Sequence, residues 1–153
     1  MGREAALADE LAEHWSTLAR AMLSRRLSES LYGAHGTSLS PGRRQAILFL
    51  EHGELRMGEL ARRLDLDDST VTRLVDRLEG SGLAERRPAA DDRRSVAVWL
   101  TDQGARVAAG MRASRAAFMA EVLDLLEPDE RVELVALLGK VSAAMDDREA
   151  VAR

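Results

Sequence analysis

The chain has 153 residues, 46% of them hydrophobic but only 3% aromatic, so leucine, alanine and valine must fill the core of one domain or of a small domain with helical extensions. Its formal net charge is −4 and it has no cysteine, which excludes disulfides, thiol redox sensing, cysteine nucleophiles and zinc–thiolate sites. No apolar run approaches the roughly 20 residues of a membrane helix, and the opening MGREAALADE mixes charges without an apolar signal core; a soluble, cytoplasmic protein is expected.

Leu7, Leu11, Trp15, Leu18 and Met22, followed by the pair Leu27 and Leu31, recur at helical spacing and predict one long helix over 5–32. Gly33, Gly36 and the TSLSP segment break it. Ser40-Pro41 is a good helix start, a capping serine before a proline in the first turn. The helix it opens, over 41–52, buries Ile47, Leu48 and Leu50 and stops at His52-Gly53.

Met57, Leu60, Ala61 and Leu64 then mark one face of a short helix, and Val71, Leu74, Val75 and Leu78 repeat the pattern in a second. Asp67 or Asp68 caps that second helix, and Gly80 or Gly82 ends it. Two short helices joined by so few residues predict a helix-turn-helix. The period then changes. Leu83–Pro88 is a short run bounded by proline. In Ser95–Leu100, Val96, Val98 and Leu100 alternate with Ala97 and Trp99 as in a half-buried strand. With Ala89–Arg94 as its tip, this hairpin is a wing. Thr101-Asp102 starts a further helix to about Leu126, Pro128 breaks it, and a last helix over 129–146 carries Leu134, Leu138, Val141 and Met145.

The expected fold is therefore mainly α: a winged helix-turn-helix over 39–100, preceded by an N-terminal helix and linker over 1–38 and followed by C-terminal helices over 101–153. The terminal helices hold more apolar surface than a winged domain of that size can cover. A dimerisation layer built from both termini, most simply across a two-fold axis, is the economical solution.

In helix-turn-helix docking the second helix enters the major groove. Opposite its apolar face that helix offers Ser69, Thr70, Thr72, Arg73 and Arg77. The hydroxyls suit bases or phosphates and Arg73 suits a bidentate guanine contact, while Arg77, a turn later, is better placed for phosphate. In the wing, Arg86 and Arg87 end one strand and Arg93 and Arg94 begin the next. Arg94 suits a narrow minor groove, with Asp92 bracing its guanidinium. Charge argues for caution, because residues 54–94 hold nine arginines against ten acids. A basic surface must arise by arrangement, with Asp65, Asp67 and Asp68 capping a helix, pointing aside or pairing with Arg62 and Arg63.

The recognition-helix run STVTRLVDRLEGSGL, the wing's Asp92-x-Arg94 and the LT-x-x-G at Leu100–Gly104 resemble the multiple-antibiotic-resistance regulator (MarR) family, and the helical order extends the resemblance over nearly the whole chain. The resemblance implies a homodimer on an inverted-repeat DNA operator. It places the recognition helices in successive major grooves about 34 Å apart and the wing tips in flanking minor grooves. Ser69, Thr70, Thr72 and Arg73 would then face bases, Arg77 the backbone and Arg94 the minor groove. It also implies a small-molecule effector in a cleft between the dimerisation and DNA-binding parts, for which His14, Trp15 and Phe49 are the aromatic candidates.

The expected function is a DNA-binding transcription regulator, a ligand-responsive repressor more than an activator. No cofactor and no metal are expected, since His14, His35 and His52 are scattered, although Glu13 and Glu51 adjoin two of them. No enzyme is expected, because glycine-rich phosphate loops, GxSxG and His-Glu-x-x-His are all absent from the sequence. The alternative is a winged helix used as a protein-interaction module, which the acidic balance favours and the exposed Ser/Thr/Arg face disfavours.

Overall fold

A computed structural model describes residues 2–90, 92 and 95–151, giving the backbone alone at residue 35 and over 146–151. In chain order these residues form α1 (Gly2–Met22), α2 (Arg25–Thr37), α3 (Pro41–Leu50), β1 (Leu55–Arg56), α4 (Met57–Leu64), α5 (Asp68–Gly80), β2 (Ala84–Pro88), β3 (Val96–Leu100), α6 (Asp102–Leu123) and α7 (Pro128–Val151). The chain divides into two units, Met1–Arg115 and Ala116–Arg153.

The core of the first unit is the one that the apolar spacing predicts. Val71, Val75 and Leu78 of α5, Leu60 of α4, Ile47 of α3 and Val98 of β3 are fully buried, joined by Met111 of α6. Each such side chain contributes roughly 1.5–3 kcal/mol by leaving water, so these residues fix how α3, α4 and α5 pack. The sheet is antiparallel in the order β1-β3-β2, with Arg86 and Leu55 flanking Val98 and with Arg87 and Arg56 flanking Ala97.

The LT-x-x-G segment is a joint. The Thr101 hydroxyl donates to Gly82 O at 2.6 Å and accepts from Gly104 N at 3.0 Å, while Thr101 N donates to Leu83 O at 3.1 Å. A Cβ on Gly104 would lie 1.9 Å from Leu83 O, so only glycine fits where α6 crosses the chain leaving α5.

Two expectations need correcting. The N-terminal segment is two helices, not one. Ser24 adopts extended backbone and its side chain accepts from Leu27 N, starting α2 afresh. The spacing of apolar residues runs on through this break, which is why it goes unseen in the sequence. Gly33 interrupts the helical run as expected: at φ 65° and ψ 177° its backbone is non-helical, and a further helical stretch follows to Thr37. In β3 the simple alternation fails: Val96 is 51% exposed, whereas Ala97 and Val98 are both buried. The two-residue strand β1 accounts for this, since it covers only Ala97 and Val98 and makes β3 central there.

In the second unit Pro128 stands at the first position of α7, and Glu127 N donates to Glu130 Oε2 at 2.9 Å, the return arm of a capping box. Arg131 closes the turn through Leu126 O at 3.0 Å.

Candidate nucleic-acid interface

The turn between α4 and α5 is built by two aspartates in different ways. Asp65 takes the left-handed conformation (φ 52°, ψ 48°) that ends α4, and Leu66 N reaches back to Ala61 O at 3.1 Å. Asp67 is the N-cap of α5, accepting from Thr70 N at 2.8 Å. Its carboxylate also accepts the hydroxyls of Ser69 at 2.6 Å and Thr70 at 2.7 Å. These donors, Ser69 first and Thr70 next, hold the Asp67 carboxyl well below the usual carboxylate range. Of the two expectations for the other acids, pointing aside or pairing with Arg62 and Arg63, pairing does not form among the described residues: Arg63 binds Glu59 one turn earlier, at 2.7 Å.

With Val71, Val75 and Leu78 facing inward, α5 exposes Ser69, Thr72, Arg73 and Arg77, with Thr70 half-buried at the edge. Thr72 donates its hydroxyl to Asp68 O at 2.7 Å. The guanidinium groups of Arg73 and Arg77 make no hydrogen bond or ion pair with any described residue. Together with Arg43 of α3 they line a cavity of about 300 Å³, completed by Ser40, Gly42, Leu66, Thr70 and Leu74. No acid lines it. Arg43 donates only to Ser40 Oγ, at 3.3 Å, while the adjacent Arg44 is used structurally, donating to Leu39 O at 2.8 Å with its guanidinium 4.5 Å above the Tyr32 ring. Sequence reasoning missed Arg43. It lies on α3, outside the helix-turn-helix pair, and only the packing of α3 on α5 brings it beside Arg73 and Arg77.

Arg86 differs from the expectation of a DNA-facing cation. Its backbone N–H donates to Glu79 Oε1 at 2.8 Å, and its guanidinium pairs with Glu79, with Asp76 at 2.8 Å, and with Thr72 O at 3.4 Å. Only 27% of the side chain is exposed. Arg86 therefore fastens β2 to α5, and in doing so it occupies two acids of that helix. Arg87 is more exposed and pairs with Glu85 on its own strand. At the tip, Ala89 N donates to Ser95 O, Ala90 N donates to Glu54 Oε1 and Ser95 N donates to Asp92 O. Arg93 and Arg94 lie outside the described residues, as does the expected brace from Asp92 to Arg94.

Within this region Asp67 is spent on the cap, Asp76 and Glu79 on Arg86, Glu85 on Arg87 and Glu59 on Arg63, while the side chains of Asp65 and Asp68, like those of Arg73 and Arg77, form no ion pair among the described residues.

The aromatic candidates for an effector cleft are dispersed. His14 stands exposed on α1, 3.8 Å from Glu10, and Trp15 is 57% exposed beside it. Phe49 packs against the core. None of the three lines the cavity of about 770 Å³ bordered by Leu23, Arg25 and Thr37. His52 is exposed after α3, and the side chain of His35 lies outside the described residues. Among the described residues no three His, Asp or Glu side chains form a set that could hold a metal, and no helix is long and apolar enough to cross a membrane.

Comparison with known proteins agrees with this geometry. The MarR family model matches residues 48–96, from α3 into β3. The chain is 29% identical over 143 residues to the HTH-type transcriptional repressor MdtR of Bacillus subtilis, covering 93% of this chain and 92% of that protein. It is 30% identical over 115 residues to the HTH-type transcriptional regulator YdgJ of the same organism, covering 74% and 70%. Among solved structures, a MarR family protein from Bacillus stearothermophilus superposes with a TM-score of 0.76 at 28% identity, covering 95% of this chain and 98% of that one.

Proposed function

The chain belongs to the MarR family, and from that membership we propose that it is a transcription regulator, a repressor that occupies an inverted-repeat operator as a homodimer. In this reading α5 enters the major groove with Ser69, Thr70, Thr72 and Arg73 toward the bases. Arg77 and Arg43 hold the backbone, and Arg87, Arg93 and Arg94 of the wing reach the neighbouring minor groove. Arg86 acts indirectly, by fixing the wing to α5. Residues 39–100 form the DNA-binding part, 1–38 and 101–153 the dimerisation parts, and an unidentified small molecule relieves repression by changing the spacing of the recognition helices. No catalytic role is proposed.

The observation that carries this reading is the acid-free cavity of Arg43, Arg73 and Arg77 on a protein of net charge −4. An isolated solvated face would scatter such charge among its acids. Binding driven by phosphate weakens steeply with salt. The test is fluorescence anisotropy against duplex DNA from upstream of the protein's own gene, with a scrambled duplex as control and a salt series for both. Selective, salt-sensitive binding that Arg94→Ala weakens is expected. Equal binding to both duplexes, or none at low salt, would overturn the regulator reading and favour a protein-interaction module.

A further inference from the structure

Residue type leaves the hydrogen-bonding sense of a hydroxyl open, because serine and threonine each carry one proton and two lone pairs. On α5 the surroundings settle it. Ser69 Oγ lies 2.6 Å from Asp67 Oδ1, Thr70 Oγ1 2.7 Å from Asp67 Oδ2, and Thr72 Oγ1 2.7 Å from the Asp68 carbonyl. An ionised carboxylate and a carbonyl only accept. In all three contacts the hydroxyl is therefore the donor, and its one proton is already committed to a protein acceptor. The 2.6 and 2.7 Å distances are those of charge-assisted O–H···O⁻ bonds, about twice as strong as neutral ones. Asp67 is held ionised by these same donors, Ser69 and then Thr70, so at neutral pH it has no proton to lend back. What the three oxygens turn outward is lone pairs.

We infer that Asp67 is a specificity-determining positioning residue: by taking the protons of Ser69 and Thr70, as the Asp68 carbonyl takes that of Thr72, it makes the hydroxyl face of the recognition helix acceptor-only. This rests on the reading of α5 as the major-groove element. Such hydroxyls accept from the exocyclic amines, adenine N6 and cytosine N4. They have nothing to give guanine O6 and N7, thymine O4 or a phosphate oxygen. The arginines are the complement, donors without an acceptor, so Arg73 and Arg77 take the keto groups and phosphates. Each base pair presents one amine and one keto group in the major groove. The hydroxyl face therefore reads which strand carries the amine, preferring A or C over G or T at the positions it faces. Asp67 achieves this without touching DNA, and the carboxylate that starts the helix also sets what the helix reads.

The test begins by selecting duplexes from a randomised pool with the full-length protein. Single bases of the enriched duplex are then replaced by analogues lacking the amine, purine for adenine and pyrimidin-2-one for cytosine. At positions facing the hydroxyls, wild type is expected to lose about five- to tenfold in affinity, the worth of one hydrogen bond. In Asp67→Asn the amide oxygen keeps the cap to Thr70 N–H. Its NH2 group must donate, however, so one hydroxyl reverses and the sequence selected by this variant is expected to admit G or T at that position. Thr72→Val gives a second route, since it removes one acceptor while leaving the cap intact, and is expected to abolish amine discrimination at one position only. Analogue duplexes that bind like their parents, or an Asp67→Asn variant of native helicity that selects the wild-type sequence, would overturn the inference alone. A pool in which wild type enriches no sequence would overturn the DNA-binding reading, and the inference with it.

Discussion

Asp67 acts through its carboxylate and Gly104 through the Cβ it lacks, and each makes a separate prediction. The Asp67 carboxyl sits below its ordinary value, near 3.9 in an unfolded chain, because Ser69 and Thr70 hydrogen-bond its charged form. The sign follows from linkage. As pH falls the unfolded chain binds the proton first, so the stabilisation is complete above about pH 4 and is lost as pH drops through the lower folded value. Thermal melts of wild type and Asp67→Asn should differ by a constant amount from pH 7 to 5 and converge below pH 4; a gap unchanged down to pH 2 would contradict the assigned hydrogen bonds. At Gly104 the obstruction is main chain, with Leu83 O 1.9 Å from where a Cβ would stand. A flexible side chain could yield, but a carbonyl at the joint between α5 and β2 cannot. Gly104→Ala should therefore cost about 1–3 kcal/mol in denaturant unfolding, the range for overpacking. Gly110→Ala in the same helix, where nothing lies within 4 Å, should be neutral or gain up to about 1 kcal/mol from helix propensity.

Arg86 ties β2 to Glu79, Asp76 and Thr72 O of α5. Removing that guanidinium has two effects. It leaves a half-buried network incomplete, costing about 1–3 kcal/mol of stability, and it exposes two carboxylates beside the DNA-facing surface. Arg86→Ala should thus weaken binding to every duplex, with the deficit shrinking as salt screens the repulsion. Arg43→Ala should behave differently. If Arg43 holds one phosphate, affinity falls uniformly across sequences and the slope of log K against log salt decreases by about 0.9; an unchanged slope would remove Arg43 from the backbone contacts. These two arginines also mark the limit of what the sequence reveals. Met57, Leu60, Ala61 and Leu64 locate α4 to the residue, and the hydroxyl-and-arginine face of α5 is visible as the complement of Val71, Val75 and Leu78. Those are periodic, local signals. The partners of Arg86 lie 7 to 14 positions away across a turn, and the cavity of Arg43, Arg73 and Arg77 exists only once α3 packs on α5. No spacing within one element encodes either. The strand β1 is illegible for a related reason, since two residues are too few to show alternation.

Beyond the winged part, apolar surface on the terminal helices remains to be explained. Among its described residues α1 buries none, and Leu7, Leu11, Trp15, Leu18 and Met22 are each more than half exposed. On α7, Leu138, Val141 and Met145, each about half exposed, form a shorter row. Their spacings of three and four keep each row on one helix face, and contiguous apolar surface of this kind marks an interaction site on a soluble protein. A second copy supplies the same rows in return, which makes a two-fold arrangement self-complementary and matches the symmetry of an inverted repeat. Sedimentation should accordingly find a dimer at micromolar protein. Leu138→Glu places a charge in the row without touching the winged core, so it should shift the equilibrium toward a monomer of unchanged helicity. The consequence for DNA separates dimerisation from contact chemistry. Two linked recognition helices gain affinity because the second binding event is intramolecular, so Leu138→Glu should lose affinity on a full inverted repeat yet match wild type on a single half-site. Equal losses on both duplexes would mean that the substitution damages the DNA-binding part itself, and a wild-type monomer would leave the inverted-repeat reading without its symmetry.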